Sequence, residues 1–331
     1  MTIDLITLGR VSMDLFSLNI GAPFVKIEGF DTGVGGSPIN IAIGSSRLGL
    51  STLALTAVGA DPVGDFVLNF LQREGVNTDY IPRKSDSRTG MAVLGIEPPD
   101  KFPLVFYREN PADIHLSIDE AMRAPIAESR GLLLSGTALS RGACRDATLY
   151  AAEIAASADT ITFIDLDLRP DQWTHPRAYG LNVRTIMAHA DVIIGTEEEF
   201  YAAIAPDPDP VMAKTNLTNT MRTELETLVA AFITKYPAKT LVLKRGARGV
   251  SIFTEGTVLD VAGFPVEVVN TVGAGDAFAS GLITARLGGK NWQTAARYAN
   301  ACGAIVVTRH GCAKAMPTPD EVDAFIENRD S

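Results

Sequence analysis

Cysteine is scarce in this chain, and its placement excludes more than its number does. Cys144, Cys302 and Cys312 are the three in 331 residues, and no two of them form a C-x-x-C pair. That pattern argues against a disulfide framework and fits reduced thiols. Histidine is nearly as rare: residues 115, 175, 189 and 310 show no metal-ligand spacing, which argues against a structural zinc site. No apolar run approaches the roughly 20 residues of a membrane-spanning helix. The opening MTIDLITLGR lacks a basic stretch followed by a long apolar one, so no signal peptide and a cytoplasmic protein are expected. Positive charge is also in deficit. A net charge of −10 and a pI near 5.0 argue against nucleic acid or a membrane surface as partner. An anionic substrate would then need a local cluster of basic groups.

What is present is ordinary globular composition, 46% hydrophobic and 21% charged, in a chain long enough for one large α/β domain. No internal repeat or low-complexity segment is visible. Short apolar runs at residues 3–8, 52–58, 131–135, 162–165, 192–195 and 240–243 read as buried strands. Helical patterns at 38–48, 65–74, 146–157, 223–235, 275–287 and 292–307 alternate with them. Such alternation predicts a mostly parallel sheet covered by helices, with ligands beyond the carboxyl ends of the strands. Residues about 12–33 and 89–109 break the pattern and predict a small antiparallel sheet, with a Pro-Pro-Asp turn in the second segment, projecting as a lid over the site. Residues 205–220 read as an irregular surface loop.

Asn270-Thr271-Val272-Gly273-Ala274-Gly275-Asp276-Ala277-Phe278 is the most informative segment. The β-branched run with Val266, Val268 and Val269 predicts a strand before it, and a helical pattern follows. A helix start offers unpaired backbone N–H groups and partial positive charge to an anion. Glycines 273 and 275 would let a phosphate approach that backbone. Asp276 beside a phosphate is electrostatically awkward unless it handles a proton, which suggests phosphoryl transfer to a hydroxyl. The same Asp would gain about 0.3–1 kcal/mol from the helix dipole without catalysing anything, so the segment alone leaves both readings open. A second glycine turn, Gly35-Gly36-Ser37-Pro38-Ile39-Asn40, also enters a helix. Ser37 and Pro38 suit a helix start. Asn40 is a poor helix former whose amide would suit sugar hydroxyls, as would the carboxylate of Asp14. Walker A and dinucleotide fingerprints both fail: Gly289-Lys290 is followed by Asn291, and Gly273-x-Gly275 by Phe278.

Gly35-Gly36 with Asn40, Gly59-Ala60-Asp61-Pro62-Val63-Gly64, Gly246-Ala247-Arg248-Gly249 and Thr271-x-Gly273-Ala274-Gly275-Asp276 occur in the order found in the ribokinase-like carbohydrate kinases. The chain resembles that family over essentially its whole length, residues 1–331. The resemblance implies one domain with a Rossmann-like α/β sandwich and a β-sheet lid that often mediates dimerisation. It makes Asp276 the base that deprotonates the acceptor, and Gly273, Ala274 and Gly275 the anion hole. It implies ATP and Mg²⁺ as cofactors, with Thr196, Lys244, Gly246, Gly249 and Asn300 at the nucleotide. Thr196-Glu197-Glu198-Glu199 matches an N-x-x-E motif, so Glu199 would organise the metal indirectly while Thr replaces Asn. Asn270 stands where many relatives carry Asp, which weakens the case for a monovalent cation.

The acceptor is read from arginines. Arg108 ends the second lid segment, in Phe102-Pro103-Leu104-Val105-Phe106-Tyr107-Arg108-Glu109-Asn110, and Arg169 follows Asp165-Leu166-Asp167-Leu168. Two guanidinium groups suit a planar carboxylate, which they grip bidentately. A sugar acid is therefore expected, and these segments, with Trp173, most resemble family members acting on a keto sugar acid of inositol breakdown. Another keto sugar acid, a neutral sugar, or a non-catalytic sensor on the same fold remain the alternatives.

Overall fold

The computed structural model describes residues 2–97, 103–213, 216–236 and 239–330. Its first strands are β1 (Leu5–Leu8), β2 (Ser12–Ser17), β3 (Phe30–Gly35), β4 (Thr52–Leu55), β5 (Val58–Gly59), β6 (Arg83–Lys84), β7 (Met91–Leu94) and β8 (Leu104–Tyr107). Then come β9 (Gly131–Ser135), β10 (Ile161–Asp165), β11 (Val192–Thr196), β12 (Thr240–Lys244), β13 (Val250–Thr254) and β14 (Thr257–Val261).

Eight strands form the main sheet in the order β14-β13-β12-β11-β10-β9-β1-β4. The run from β12 to β4 is parallel, and β13 and β14 add an antiparallel edge. The fully buried pattern of β1, β4 and β9 explains their continuous apolar runs, because both faces of a parallel sheet are covered. On one face Leu5, Leu133, Phe163, Ile194 and Val242 pack against Phe278, Leu282 and Ile283 of helix Ala274–Leu287. On the other, Leu132, Leu134, Ile164 and Ile193 pack with Ala147, Ala151, Tyr179 and Phe200. The result is the expected Rossmann-like α/β sandwich, with strand ends converging on one edge.

The small sheet is there as expected, with four strands in the order β3-β2-β7-β8. One feature is corrected: β2 and β7 pair in parallel, so the sheet is mixed rather than antiparallel. A long connection through helices Ser37–Arg47 and Pro62–Arg73 separates those two strands, which permits parallel pairing where a hairpin would not. The Pro98-Pro99-Asp100 turn and Phe102 lie outside the described residues. Three further expectations shift. Residues 52–58 divide into β4 and β5, and a short helix, Asp209–Met212, interrupts the loop at 205–220. The strand expected at Val266–Val269 does not form: the segment has no regular structure and bends at Val269, with Val268 50% and Val269 37% exposed. Its Val269 N–H bonds to Val307 O at the end of helix Trp292–Val307, so the segment is anchored to a helix instead of joining a sheet.

Candidate active site

Arg10 directly after β1, Asp165 ending β10, Thr196 ending β11 and Lys244 ending β12 all reach the carboxyl edge of the parallel strands. The Gly273 turn brings helix Ala274–Leu287 to the same edge. Gly273 takes φ 86°, and a Cβ there would lie 2.4 Å from Cys312 Sγ, so the turn requires glycine. The helix's first-turn amides have no intrahelical acceptor, although that of Ala274 donates to Thr271 O at 3.3 Å.

Asp276 stands in that first turn, half-buried, with Asn40 Nδ2 donating to its Oδ2 at 2.7 Å. Asn40, expected at sugar hydroxyls, holds this carboxylate through its amide NH₂, and its buried Oδ1 has no partner among the described residues. Burial, then the charge of Asp167, push Asp276 above the ordinary carboxylate value, with the Asn40 bond and Arg169 opposing them. Cys312 Sγ lies 4.0 Å from the same Oδ2, but burial raises it well above the ordinary thiol value, so it stays protonated. Asp14, on β2, is buried, accepts from Ser12 Oγ at 2.7 Å, and is pushed up to about 6 by burial. A Cβ on Gly35 would meet its Oδ2 at 1.9 Å, which explains the first glycine of the Gly35-Gly36 pair.

At the other end of the edge, Lys244 Nζ is 3.3 Å from Asp165 Oδ2 and 3.9 Å from Glu199 Oε2. Burial works against this ammonium, but those two carboxylates outweigh it and raise its pKa. A Cβ on Gly275 would be 3.3 Å from Nζ, so Lys244 faces the turn that opens the helix. Thr196 caps helix Glu197–Ile204 in a capping box: Glu199 N–H donates to Thr196 Oγ1, and Glu199 Oε2 accepts Thr196 N–H at 2.7 Å. Glu199 Oε1 also accepts Leu168 N–H at 3.2 Å. Its carboxylate is thus tied to backbone on both oxygens. Among the described residues no group of three or more His, Cys, Asp or Glu could hold a metal ion directly. Gly246 and Gly249 close the tight β12–β13 turn, with Gly249 N–H donating to Gly246 O at 2.9 Å. Asn300 Nδ2 donates to Val261 O and Ala262 O at 3.2 and 3.0 Å, bracing the end of β14.

The arginines separate. Arg169 Nη2 lies 3.1 Å from Asp167 Oδ1 with its side chain 36% exposed, so its head faces the site. Arg108, expected at the substrate, is held by an internal partner. It is 7% exposed, its Nη2 donates to both oxygens of Asp113 at 2.9 Å, and its Nη1 donates to Val11 O. That guanidinium is neutralised internally, and it fixes the end of β8 against the main domain. Sequence reasoning missed Arg10 and Asp167. Asp167 accepts from Ser135 Oγ and Thr137 Oγ1, and although burial opposes it, Arg169 and Arg10 hold it down to about 2. Its position in Asp165-x-Asp167-x-Arg169, past a buried strand, was the available signal.

A helix start with open amides, a carboxylate at its first turn and an ammonium facing it fit an enzyme that moves a phosphoryl group onto a hydroxyl. The chain belongs to the pfkB family of carbohydrate kinases, whose profile matches residues 3–319. Among its relatives, the 5-dehydro-2-deoxygluconokinase of Listeria monocytogenes is 34% identical over 325 residues, covering 98% of this chain and 95% of that protein. The enzyme of the same name from Bacillus anthracis is 35% identical over 326 residues, with the same coverage of 98% and 95%. Of solved structures, a PfkB protein from Polaromonas sp. JS666 superposes with a TM-score of 0.80 at 26% identity, covering 97% of this chain and 99% of that one. A fructokinase from Xylella fastidiosa with bound ATP superposes with a TM-score of 0.84 at 22% identity over 100% of both chains.

Proposed function

We propose that this carbohydrate kinase uses ATP to phosphorylate the terminal hydroxyl of 5-dehydro-2-deoxygluconate, a keto sugar acid of inositol breakdown. The observation that carries the chemistry is Asp276, half-buried at a helix start and oriented by Asn40. In this reading Asp276 accepts the proton of the attacking hydroxyl. The amides of Gly273, Ala274 and Gly275 and the Lys244 ammonium meet the charge that develops on the transferring phosphoryl group. Asp14, with Gly35 and Gly36 leaving it room, accepts hydrogen bonds from sugar hydroxyls. The nucleotide is assigned to the strand ends at Thr196 and Lys244, the Gly246–Gly249 turn and the region braced by Asn300; the ATP carried by a structural relative supports ATP as the phosphoryl donor.

Magnesium keeps several waters and binds mainly through nucleotide phosphates, which fits a site whose Glu199 carboxylate is tied to backbone. Glu199 and Asp165 are the groups that would hold its water shell, and the bound ion would supply charge neutralisation at the phosphates. No potassium requirement is assigned, because the Asn270 amide bridges the neighbouring loops itself: Nδ2 donates to Gly311 O at 3.1 Å and Oδ1 accepts Val272 N–H at 3.0 Å. The small sheet acts as the lid that keeps water from the transferring phosphoryl group, and its outer face pairs two copies into a homodimer. The names of the curated relatives and the arginines at the strand ends together favour a sugar acid over a neutral sugar.

A coupled ADP-release assay over keto sugar acids and neutral sugars tests the assignment. The expected result is highest kcat/KM on 5-dehydro-2-deoxygluconate. Preference for 2-keto-3-deoxygluconate would move the enzyme to another sugar acid, preference for fructose or ribose would reject the acid, and binding without turnover would indicate a sensor.

A further inference from the structure

Arg10 is a cation in this site to which the chemistry above gives no individual role. It is 7% exposed, and its Nε and Nη1 are buried without a hydrogen-bond partner among the described residues. Unmade donors on a buried guanidinium are costly, and such groups are rarely left so without a function. Asp167 is the one carboxylate within ion-pair distance among the described residues, its Oδ2 4.0 Å from Arg10 Nε. That oxygen already accepts from Ser135 Oγ at 2.9 Å and Thr137 Oγ1 at 2.8 Å. Asp167 is also the partner of Arg169, at 3.1 Å. One carboxylate therefore lies between two guanidinium groups, whereas Arg108 has Asp113 to itself.

The setting of Arg10 is directional. Its Cζ stands 5.2 Å from the centroid of the Phe106 ring, which β8 brings in from the small sheet. An aromatic ring covers a guanidinium face and leaves its donor edge for a planar anion. Arg10 joins the site through Asp167, whose Oδ2 lies 4.0 Å from Arg10 Nε and whose Oδ1 lies 3.1 Å from Arg169 Nη2. A second anion beside Arg10 would satisfy Nε and Nη1 and give each guanidinium its own partner.

We propose that Arg10 is the specificity-determining residue that binds the substrate carboxylate, in the place that sequence had pointed to Arg108. This rests on the sugar-acid reading above. A neutral sugar would leave the Arg10 donors unmade, which is the kind of site that rejects an analogue lacking the recognised group.

The test compares 5-dehydro-2-deoxygluconate with its primary amide, which keeps the sugar and removes the charge, in the wild type and in Arg10→Met and Arg10→Lys. Thermal melts verify that each variant folds. Arg10→Met should lower kcat/KM on the acid about 10²-fold, the worth of a charge-assisted hydrogen-bond pair, while changing kcat/KM on the amide less than about threefold. Arg10→Lys, which restores charge without the planar fork, should fall between and carries the same comparison if the Met variant fails to fold. In Arg10→Ala, free guanidinium ion should restore turnover of the acid and not of the amide. Equal losses on both substrates would assign Arg10 to structure and overturn the inference, as would undiminished use of the acid by Arg10→Met. Those outcomes leave the sugar-acid reading standing; a wild-type enzyme that turns over neutral sugars and no acid overturns both.

Discussion

Asp276 can take a proton from a sugar only while its own carboxyl is ionised, and its surroundings make that harder than usual. Burial and the charge of Asp167 raise its pKa above the ordinary 3.8, while the Asn40 N–H bond, which favours the ionised form, pulls it back. The sign follows directly. Activity is full above the raised pKa and falls as pH drops through it, so kcat/KM should lose its acid limb at a higher pH than a free carboxylate would give. Asn40→Ala withdraws the opposing bond and should move that limb to still higher pH. A pH–rate profile of both proteins measures this, and a limb that stays in place or moves down rejects the assignment of the base. The stronger test of the same residue is Asp276→Asn, which keeps the shape and removes the proton acceptor. Phosphorylation should fall by about 10²–10⁴-fold or more, with ATP affinity by calorimetry unchanged. Near-normal turnover would show that another group takes the proton.

At the level of elements, the site depends on pairs that tie one segment to another. Arg108 and Asp113 are 4% and 2% exposed at their side chains, and Asp113 Oδ2 also accepts Val11 N–H at 2.8 Å, just past β1. Arg108→Leu leaves that carboxylate buried and uncompensated, which should destabilise the fold by about 3–5 kcal/mol. Denaturant unfolding reads this; replacing both partners together should recover much of the loss, and a mild effect from Arg108→Leu alone would contradict the pairing. Asn270 does similar work beside the Gly273 turn. Asn270→Ala should lower kcat by loosening Val272 and Gly311, and wild-type activity should be the same in potassium and in tetramethylammonium salts. Stimulation by potassium would show that the Asn270 amide does not stand in for a cation. The contrast between Trp292–Val307 and the Val266–Val269 segment shows what was legible. The first is a helix whose bounds follow from its own apolar period, and residues 292–307 were read correctly. The second has the β-branched composition of a strand, but its backbone partner, Val307, is a helix end that local pattern does not display. The turns at Gly36 and Gly273 were legible because their positive φ and close neighbours restrict residue type. Arg10 was not, since Leu-Gly-Arg after a strand looks like any surface arginine until the fold buries it. The internal pairing of Arg108 was not legible either, because nothing in the sequence marks Asp113, five residues on, as its partner.

Across the whole molecule, recognition and assembly meet in strand β8. This strand is an edge of the small sheet, and an edge presents unpaired backbone groups to another chain. Its Leu104, Val105 and Tyr107 are 41%, 43% and 59% exposed, while Phe106 turns inward onto Arg10. Leu18 and Val25, from the β2–β3 connection, add 61% and 91% exposed apolar side chains. Apolar groups gathered on one small sheet are characteristic of an interface rather than of a solvated surface. In the proposed homodimer a second copy covers this face and thereby fixes the strand whose Phe106 lies against the proposed carboxylate-binding arginine. Light scattering should then give a mass about twice 35.2 kDa. Val105→Lys, which places an ammonium in the apolar face without touching Phe106, should yield monomers. Because a freed β8 holds Phe106 less firmly, those monomers should show a raised KM for the sugar acid and an unchanged KM for ATP. A wild type that is monomeric at micromolar concentration would reject the dimer, and monomers with an unaltered sugar-acid KM would separate assembly from recognition.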